Sequence, residues 1–187
     1  MKRNRNEQKT TGGILREILN FLIYLILILL LTYVLLRYVG QRTRVIGASM
    51  EDTLYDGDNL IVDKLTYELK NPERFDIIVF PYQYKDHVYY VKRIIGLPGE
   101  TVQIMPNGTI FINGQELEES YGRDVIEEPG LAARPITLGE DEYFVMGDNR
   151  NYSNDSRQAD VGNIRREDIV GRVWLRIYPF DSFGTVQ

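Results

Sequence analysis

From Ile18 to Leu36 the chain reads ILNFLIYLILILLLTYVLL, with no charged residue and only Asn20 and Thr32 clearly polar. Water gives a helix no reason to be apolar on every side, whereas lipid does. At a rise of about 1.5 Å per residue, such a run spans close to the ~30 Å of a bilayer's hydrocarbon core. A cleaved export signal usually carries an apolar region of only about 7–15 residues. The run is therefore read as a retained transmembrane helix. Lys2, Arg3, Arg5, Lys9 and Arg16 precede it, and Arg37, Arg42 and Arg44 follow it. That excess of cations on the N-terminal side favours a cytoplasmic N-terminus with the remaining chain outside. Three segments are expected: a basic cytoplasmic tail over 1–13, an anchor over 14–38 and an extracytoplasmic domain over 39–187.

What lies beyond the anchor is large enough for one ordinary domain. With 43% hydrophobic residues and 13 Tyr, it has the material for a packed core. A net charge of −5 argues against nucleic acid as the main partner. The sequence has no Cys, which excludes a thiol nucleophile, a disulfide framework and a thiolate metal site. Its single His, His87, excludes a multi-histidine metal site.

After Val45 the apolar block gives way to short runs rich in Val, Ile, Tyr and Phe. They are Asn59–Asp63, Asp76–Phe80, Val88–Ile95, Thr101–Met105, Thr109–Ile112, Glu142–Met146 and Ile169–Tyr178. Such residues fit a pleated, half-buried surface. Asp56-Gly57, Asn71-Pro72, Pro98-Gly99, Asn107-Gly108 and Asn113-Gly114 separate them as turn signals. The stretch from Thr101 to Ile112 predicts a hairpin. No window beyond Val45 keeps a helical period. The predicted fold is mainly β, an antiparallel sheet domain of sandwich or barrel type behind one N-terminal transmembrane helix. Residues 115–140 are acidic, carry Pro129 and Pro135, and read as a loop-rich insertion.

Three segments could carry chemistry. Ser49 follows the small residues Gly47 and Ala48 just beyond the anchor, so another chain could approach it closely; a serine by itself is a weak signal. Lys92 and Arg93 interrupt an apolar strand run. On a strand, Lys92 shares a face with Tyr90 and Ile94, and Arg93 with Val91 and Ile95. Both faces are apolar, so alternation does not say which cation is buried. Chemistry separates them, because burial can turn lysine into a neutral base while arginine stays protonated. The third segment, Met146 to Arg157, is dense in short polar side chains able to fix an irregular loop. It is not an EF-hand, because Arg150 takes a ligand position and no Gly falls sixth.

In order and company, these segments resemble bacterial type I signal peptidases, above all the single-anchor type of Gram-positive bacteria. The family's nucleophile motif appears as Ser49-Met50 with Thr53-Leu54. Its general-base motif appears as Lys92-Arg93 with Gly96-Leu97-Pro98-Gly99. Its third motif appears as Gly147-Asp148-Asn149-Arg150 with Ser153 and Asp155-Ser156-Arg157. One position departs: Asp52 stands where the family usually has proline.

The resemblance implies a membrane-bound serine endopeptidase that removes signal peptides from secretory preproteins, with no cofactor or metal. Its partners would be those preproteins and the lipid bilayer. Ser49 would be the nucleophile and Lys92 the general base, a known variant of serine catalysis. Ser153 would hydrogen-bond and orient Lys92, while Asp148, Arg150, Asp155 and Arg157 would support the loop. Val45, Leu54, Tyr90 and Val91 would line shallow pockets for the small residues of an Ala-x-Ala cleavage site. The Ser49 N–H would bind the oxyanion. Some relatives add a hydroxyl two residues before the nucleophile, where this chain has Gly47. A triad through His87 is disfavoured by its polar surroundings, Tyr84-Lys85-Asp86. A catalytically dead scaffold would lack the serine or the lysine, and a generic anchored binding domain would not need the three motifs.

Overall fold

The structure, a computed structural model, describes residues 4–34 and 40–186, with side chains in the first stretch from Gly13 to Tyr33. Two compact units divide it, Met1–Val39 and Gly40–Gln187. In the first, helix α1 covers Asn4–Val34. Its segment Gly13–Tyr33, 21 residues, is long and apolar enough to cross a membrane, and none of it is buried. Lys2, Arg3, the end of the apolar run at Leu36, Arg37 and the expected boundary between 38 and 39 lie outside the described residues.

The second unit is built from strands, all of whose pairings are antiparallel. They are β1 (Gln41–Arg44), β2 (Asn59–Asp63), β3 (Ile77–Pro81), β4 (Tyr89–Gly96), β5 (Thr101–Ile104) and β6 (Ile110–Ile112). Then follow β7 (Gln115–Glu116), β8 (Ile136–Thr137), β9 (Glu142–Met146), β10 (Ile164–Arg165), β11 (Gly171–Tyr178) and β12 (Gly184–Thr185). The larger sheet has the order β1-β2-β11-β3-β4-β9-β10, with β12 paired to β11; the smaller has the order β7-β6-β5-β8. Each of the seven runs rich in β-branched and aromatic residues is a strand, within two residues at either end. The only α-helix in this unit is the single turn α2, Thr66–Leu69.

Local chemistry explains the arrangement. Strand β3 is apolar from Ile77 to Phe80 and buried on both faces, as a central strand should be. In β2, Leu60 and Val62 alternate inward between half-buried neighbours. Strands β5 and β6 form the expected hairpin in the register Val102↔Ile112 and Ile104↔Ile110. Gly108 takes φ 84° at its turn, and its N–H donates to the Met105 carbonyl at 2.8 Å. Between β6 and β7, Asn113 and Gly114 take φ 52° and 78°, the left-handed pair that a tight hairpin turn requires.

Residues 115–140 hold β7, a 3-10 turn over Gly130–Ala133 and β8. Although rich in loop, they form both edges of the smaller sheet. They place Ile126, Ala132 and Leu138 in one core with Ile95, Val102, Phe144 and Met146.

Candidate active site

The three chemistry-bearing segments come together around the middle of β4. Lys92 and Arg93 are both buried, at 3% and 0% relative exposure, on successive and therefore opposite sides of the strand. Lys92 Nζ lies 2.7 Å from Ser49 Oγ and 3.0 Å from the Val91 carbonyl oxygen. Among the described residues it meets no carboxylate within ion-pair distance. Burial lowers its pKa to about 8, against the upward pull of Asp155 and Asp148 and with a smaller downward push from Arg157.

Arg93 is treated differently. Its Nε and Nη2 donate to the two oxygens of Asp148 at 2.9 and 2.7 Å, and Nη1 donates to the Phe75 carbonyl at 2.9 Å. Asp148 Oδ2 also accepts from Thr53 Oγ1 at 2.5 Å. The arginine of β4, the aspartate after β9 and the threonine four residues past Ser49 thus tie the three motifs into one network.

The nucleophile segment is clamped from the same side. Asn149 donates its backbone N–H to the Ser49 carbonyl at 3.1 Å and its Nδ2 to the Ala48 carbonyl at 3.0 Å. Met50 and Leu54 flank the serine as core side chains packed with Leu60, Val62 and Val79. The Ser49 N–H makes no hydrogen bond among the described residues. Gly47 (φ 95°) is no second oxyanion donor, because its N–H donates to Asp56 Oδ1 at 2.9 Å. The peptide bond entering Asp52 is cis.

Ionic ties support the Gly147–Arg157 loop. Asp155 accepts from Gly147 N–H at 3.0 Å and from Arg157 Nε at 2.8 Å, and Arg157 Nη2 donates to the Arg150 carbonyl at 2.5 Å. Arg150 forms a two-armed pair with Glu119, Nη2 to Oε2 at 2.6 Å, and its Nε donates to the Gly147 carbonyl at 3.2 Å. All four charged residues expected in this loop are buried within it.

Two placements differ from expectation. Ser153 Oγ is buried without a hydrogen-bond partner, so the expected bond to Lys92 is not made. It instead packs against Gly147, opposite the Ser49 carbonyl. Leu54 is fully buried and does not line the cleft, because the core beneath the nucleophile loop takes its side chain. Val45, Tyr90 and Val91 do line it, with Ser49 and Lys92, in a groove of about 630 Å³. His87 is exposed on the rim of that groove, and Lys92 rather than His87 is the partner of Ser49. Thr53 and Asn149 stood inside recognisable motifs without an assigned role, whereas no pattern in the acidic stretch marked Glu119 as Arg150's partner. Among the described residues no group of three or more His, Asp or Glu gathers to hold a metal.

The family described as signal peptidase, peptidase S26, matches residues 17–178. The chain belongs to this signal peptidase family. It is similar to a probable signal peptidase I-2 of Synechocystis, 37% identical over 152 residues, covering 79% of this chain and 67% of the relative. It is also similar to signal peptidase I P of Bacillus subtilis subsp. natto, 41% identical over 143 residues, covering 73% and 75%. A solved signal peptidase I of Enterococcus faecalis is 35% identical and covers 56% of this chain and 97% of that one; its TM-score of 0.44 is too low to bear on the fold. Membership makes the chain a serine peptidase of the signal peptidase I kind, an enzyme that hydrolyses peptide bonds in secretory preproteins.

Proposed function

We propose that the protein removes N-terminal signal peptides from secretory preproteins by a Ser49/Lys92 dyad, held at the membrane by helix α1. One observation carries this reading: the 2.7 Å approach of Lys92 Nζ to Ser49 Oγ, made by a buried lysine with no ion-pairing carboxylate. Neutral Lys92 takes the hydroxyl proton as Oγ attacks the scissile carbonyl carbon. The resulting oxyanion faces the Ser49 N–H, a donor worth roughly 3 kcal/mol in such sites. The ammonium of Lys92 then returns its proton to the leaving amine, giving an acyl-enzyme. In the second half Lys92 deprotonates a water, which attacks the ester carbonyl and releases the signal peptide.

Val45, Tyr90 and Val91 serve as walls for the small side chains before the cut. Asp148, Arg150, Asp155 and Arg157 act at a distance, by fixing the loop that clamps the nucleophile. The division of labour is a cytoplasmic tail over 1–13, an anchor over 14–38 and a catalytic domain over 39–187 outside the cytoplasm, supported by the apolar helix and the surplus of N-terminal cations.

The test is cleavage of a secretory preprotein by the full chain in detergent, beside Ser49→Ala and Lys92→Ala. The unmutated protein should cut after the Ala-x-Ala site and both variants should lose that activity. Equal cleavage by all three would remove the dyad. Protease protection of the catalytic domain in sealed vesicles of known sidedness tests the orientation.

A further inference from the structure

The protein carries a net charge of −5, yet its substrate groove is lined by no carboxylate. Apart from Lys92, its charged lining consists of Arg44 and Lys85, with the imidazole of His87 between Lys85 and Val88. All three are exposed side chains. None forms an ion pair among the described residues.

Their positions are consistent along both walls. On one wall the chain runs back from Ser49 through Val45 to Arg44. On the other it runs back along β4 from Lys92 through Val91 and Tyr90 to the β3–β4 turn, which carries His87 and Lys85. That turn is held by Tyr82 N–H donating to the Val88 carbonyl at 2.8 Å and Lys85 N–H donating to the Tyr82 carbonyl at 3.2 Å. Both walls therefore place cations at the end of the groove remote from the reacting atoms.

The nearby carboxylates do not neutralise this end. Asp160 accepts from Tyr82 Oη at 2.9 Å and from Asn154 Nδ2 at 2.8 Å, and Asp56 caps Gly47 N–H. Asp86 belongs to the same turn but does not line the groove.

A strand advances about 3.3 Å per residue, so the turn beyond Tyr89 lies roughly 10–17 Å along the groove from Lys92. Tyr90 and Val91 flank the residues just before the cut in the reading above, on which this inference rests. A substrate strand then reaches the cationic end about three to five residues upstream of the scissile bond. We propose that Arg44, Lys85 and His87 form a subsite that selects signal peptides carrying a carboxylate side chain three to five residues before the cut, and selects against a lysine or arginine there. Exposed charges of this kind act mainly through binding and are screened by salt.

The experiment uses full-length protein in non-ionic detergent and peptides with one common Ala-x-Ala site. The peptides differ only in Asp, Asn or Lys at the fourth or fifth residue before the cut. At low salt kcat/KM should favour Asp over Lys by about three- to tenfold, mostly through KM, and the ratio should shrink towards one at high salt. In Lys85→Glu and Arg44→Glu the preference should weaken or invert. Equal cleavage of the three peptides, or an Asp preference untouched by either reversal, overturns the subsite and leaves the dyad standing. Failure to cut any of the peptides overturns the function itself, and the subsite with it.

Discussion

Lys92 and Arg93 are neighbours on β4 and both are buried, but Arg93 meets a carboxylate and Lys92 meets a serine hydroxyl. The difference decides what each can do. A guanidinium stays protonated and suits a buried two-armed pair with Asp148. An ammonium stripped of water and left without a direct counter-ion loses its proton far more readily.

The first expected outcome is a pH profile. With the Lys92 pKa lowered to about 8, kcat/KM should follow the neutral fraction of that lysine. It should be about half its plateau near pH 8 and fall roughly tenfold per unit below, with the plateau reached about one unit above. Lys92→Arg should abolish the profile with the activity. A rate independent of pH between 6 and 9 would show that a different group removes the proton.

Stability should move the opposite way from activity when Lys92 is replaced by Met. The folded-state pKa lies below the unfolded value, so the unfolded chain binds more protons between about pH 8 and 10.5, and wild-type stability rises with pH across that window. Below pH 8 the cost of the buried ammonium is fully present, about 3 kcal/mol by this shift. Lys92→Met removes that cost but also the bonds to Ser49 and Val91. A net gain of about 1–2 kcal/mol at pH 7 is expected, shrinking towards pH 10. Denaturant melts at the two pH values check it, and a variant less stable at pH 7 would contradict the sign.

Asp148→Ala should be costly in a way that its distance from the scissile bond does not suggest. It strands the buried Arg93 guanidinium and frees Thr53, for a loss of about 3–5 kcal/mol. Pairing it with Arg93→Leu should recover part of that loss, since the second change removes the uncompensated charge. Fully additive losses in the cycle would mean that the two side chains are not coupled. Peptide cleavage should fall in the single variant even at temperatures where it remains folded, because Thr53 lies on the nucleophile loop.

Much of this arrangement could be read from the chain, for definite reasons. Strands β2 and β9 stand between turn residues and carry their own alternating or apolar pattern, so local chemistry was enough. Strands β1, β7, β8, β10 and β12 carry no such pattern. QRTR at β1 is polar throughout, and it is a strand because it pairs with Leu60 and Ile61 of β2. The same holds at the site. Ser49, Lys92 and the polar loop were legible as types of residue in one order. The burial of both Lys92 and Arg93 was not, because both faces of that run are apolar and only β3, β9 and the loops decide what covers each. The expected bond from Ser153 to Lys92 failed because sequence order places the serine near the base without fixing where its hydroxyl points.

Gly147 is where that crowding can be tested. An added Cβ would sit 2.3 Å from both Ser153 Oγ and the Ser49 carbonyl oxygen, and 2.6 Å from Ser153 Cβ. Ser153 can rotate, but the Ser49 carbonyl is backbone already held by Asn149 N–H, so relief must come from moving the nucleophile itself. Overpacking of this kind costs about 1–3 kcal/mol of stability. A displacement near 1 Å at a reacting atom can cost about 100-fold in rate. Gly147→Ala should therefore fold, melt a few degrees early, and lose most of its kcat with KM little changed. Ser153→Ala added to it removes only the side-chain half of the clash and should restore little activity. Full recovery in that double variant would mean that the glycine is required by Ser153 alone, and that the backbone of the nucleophile was never displaced.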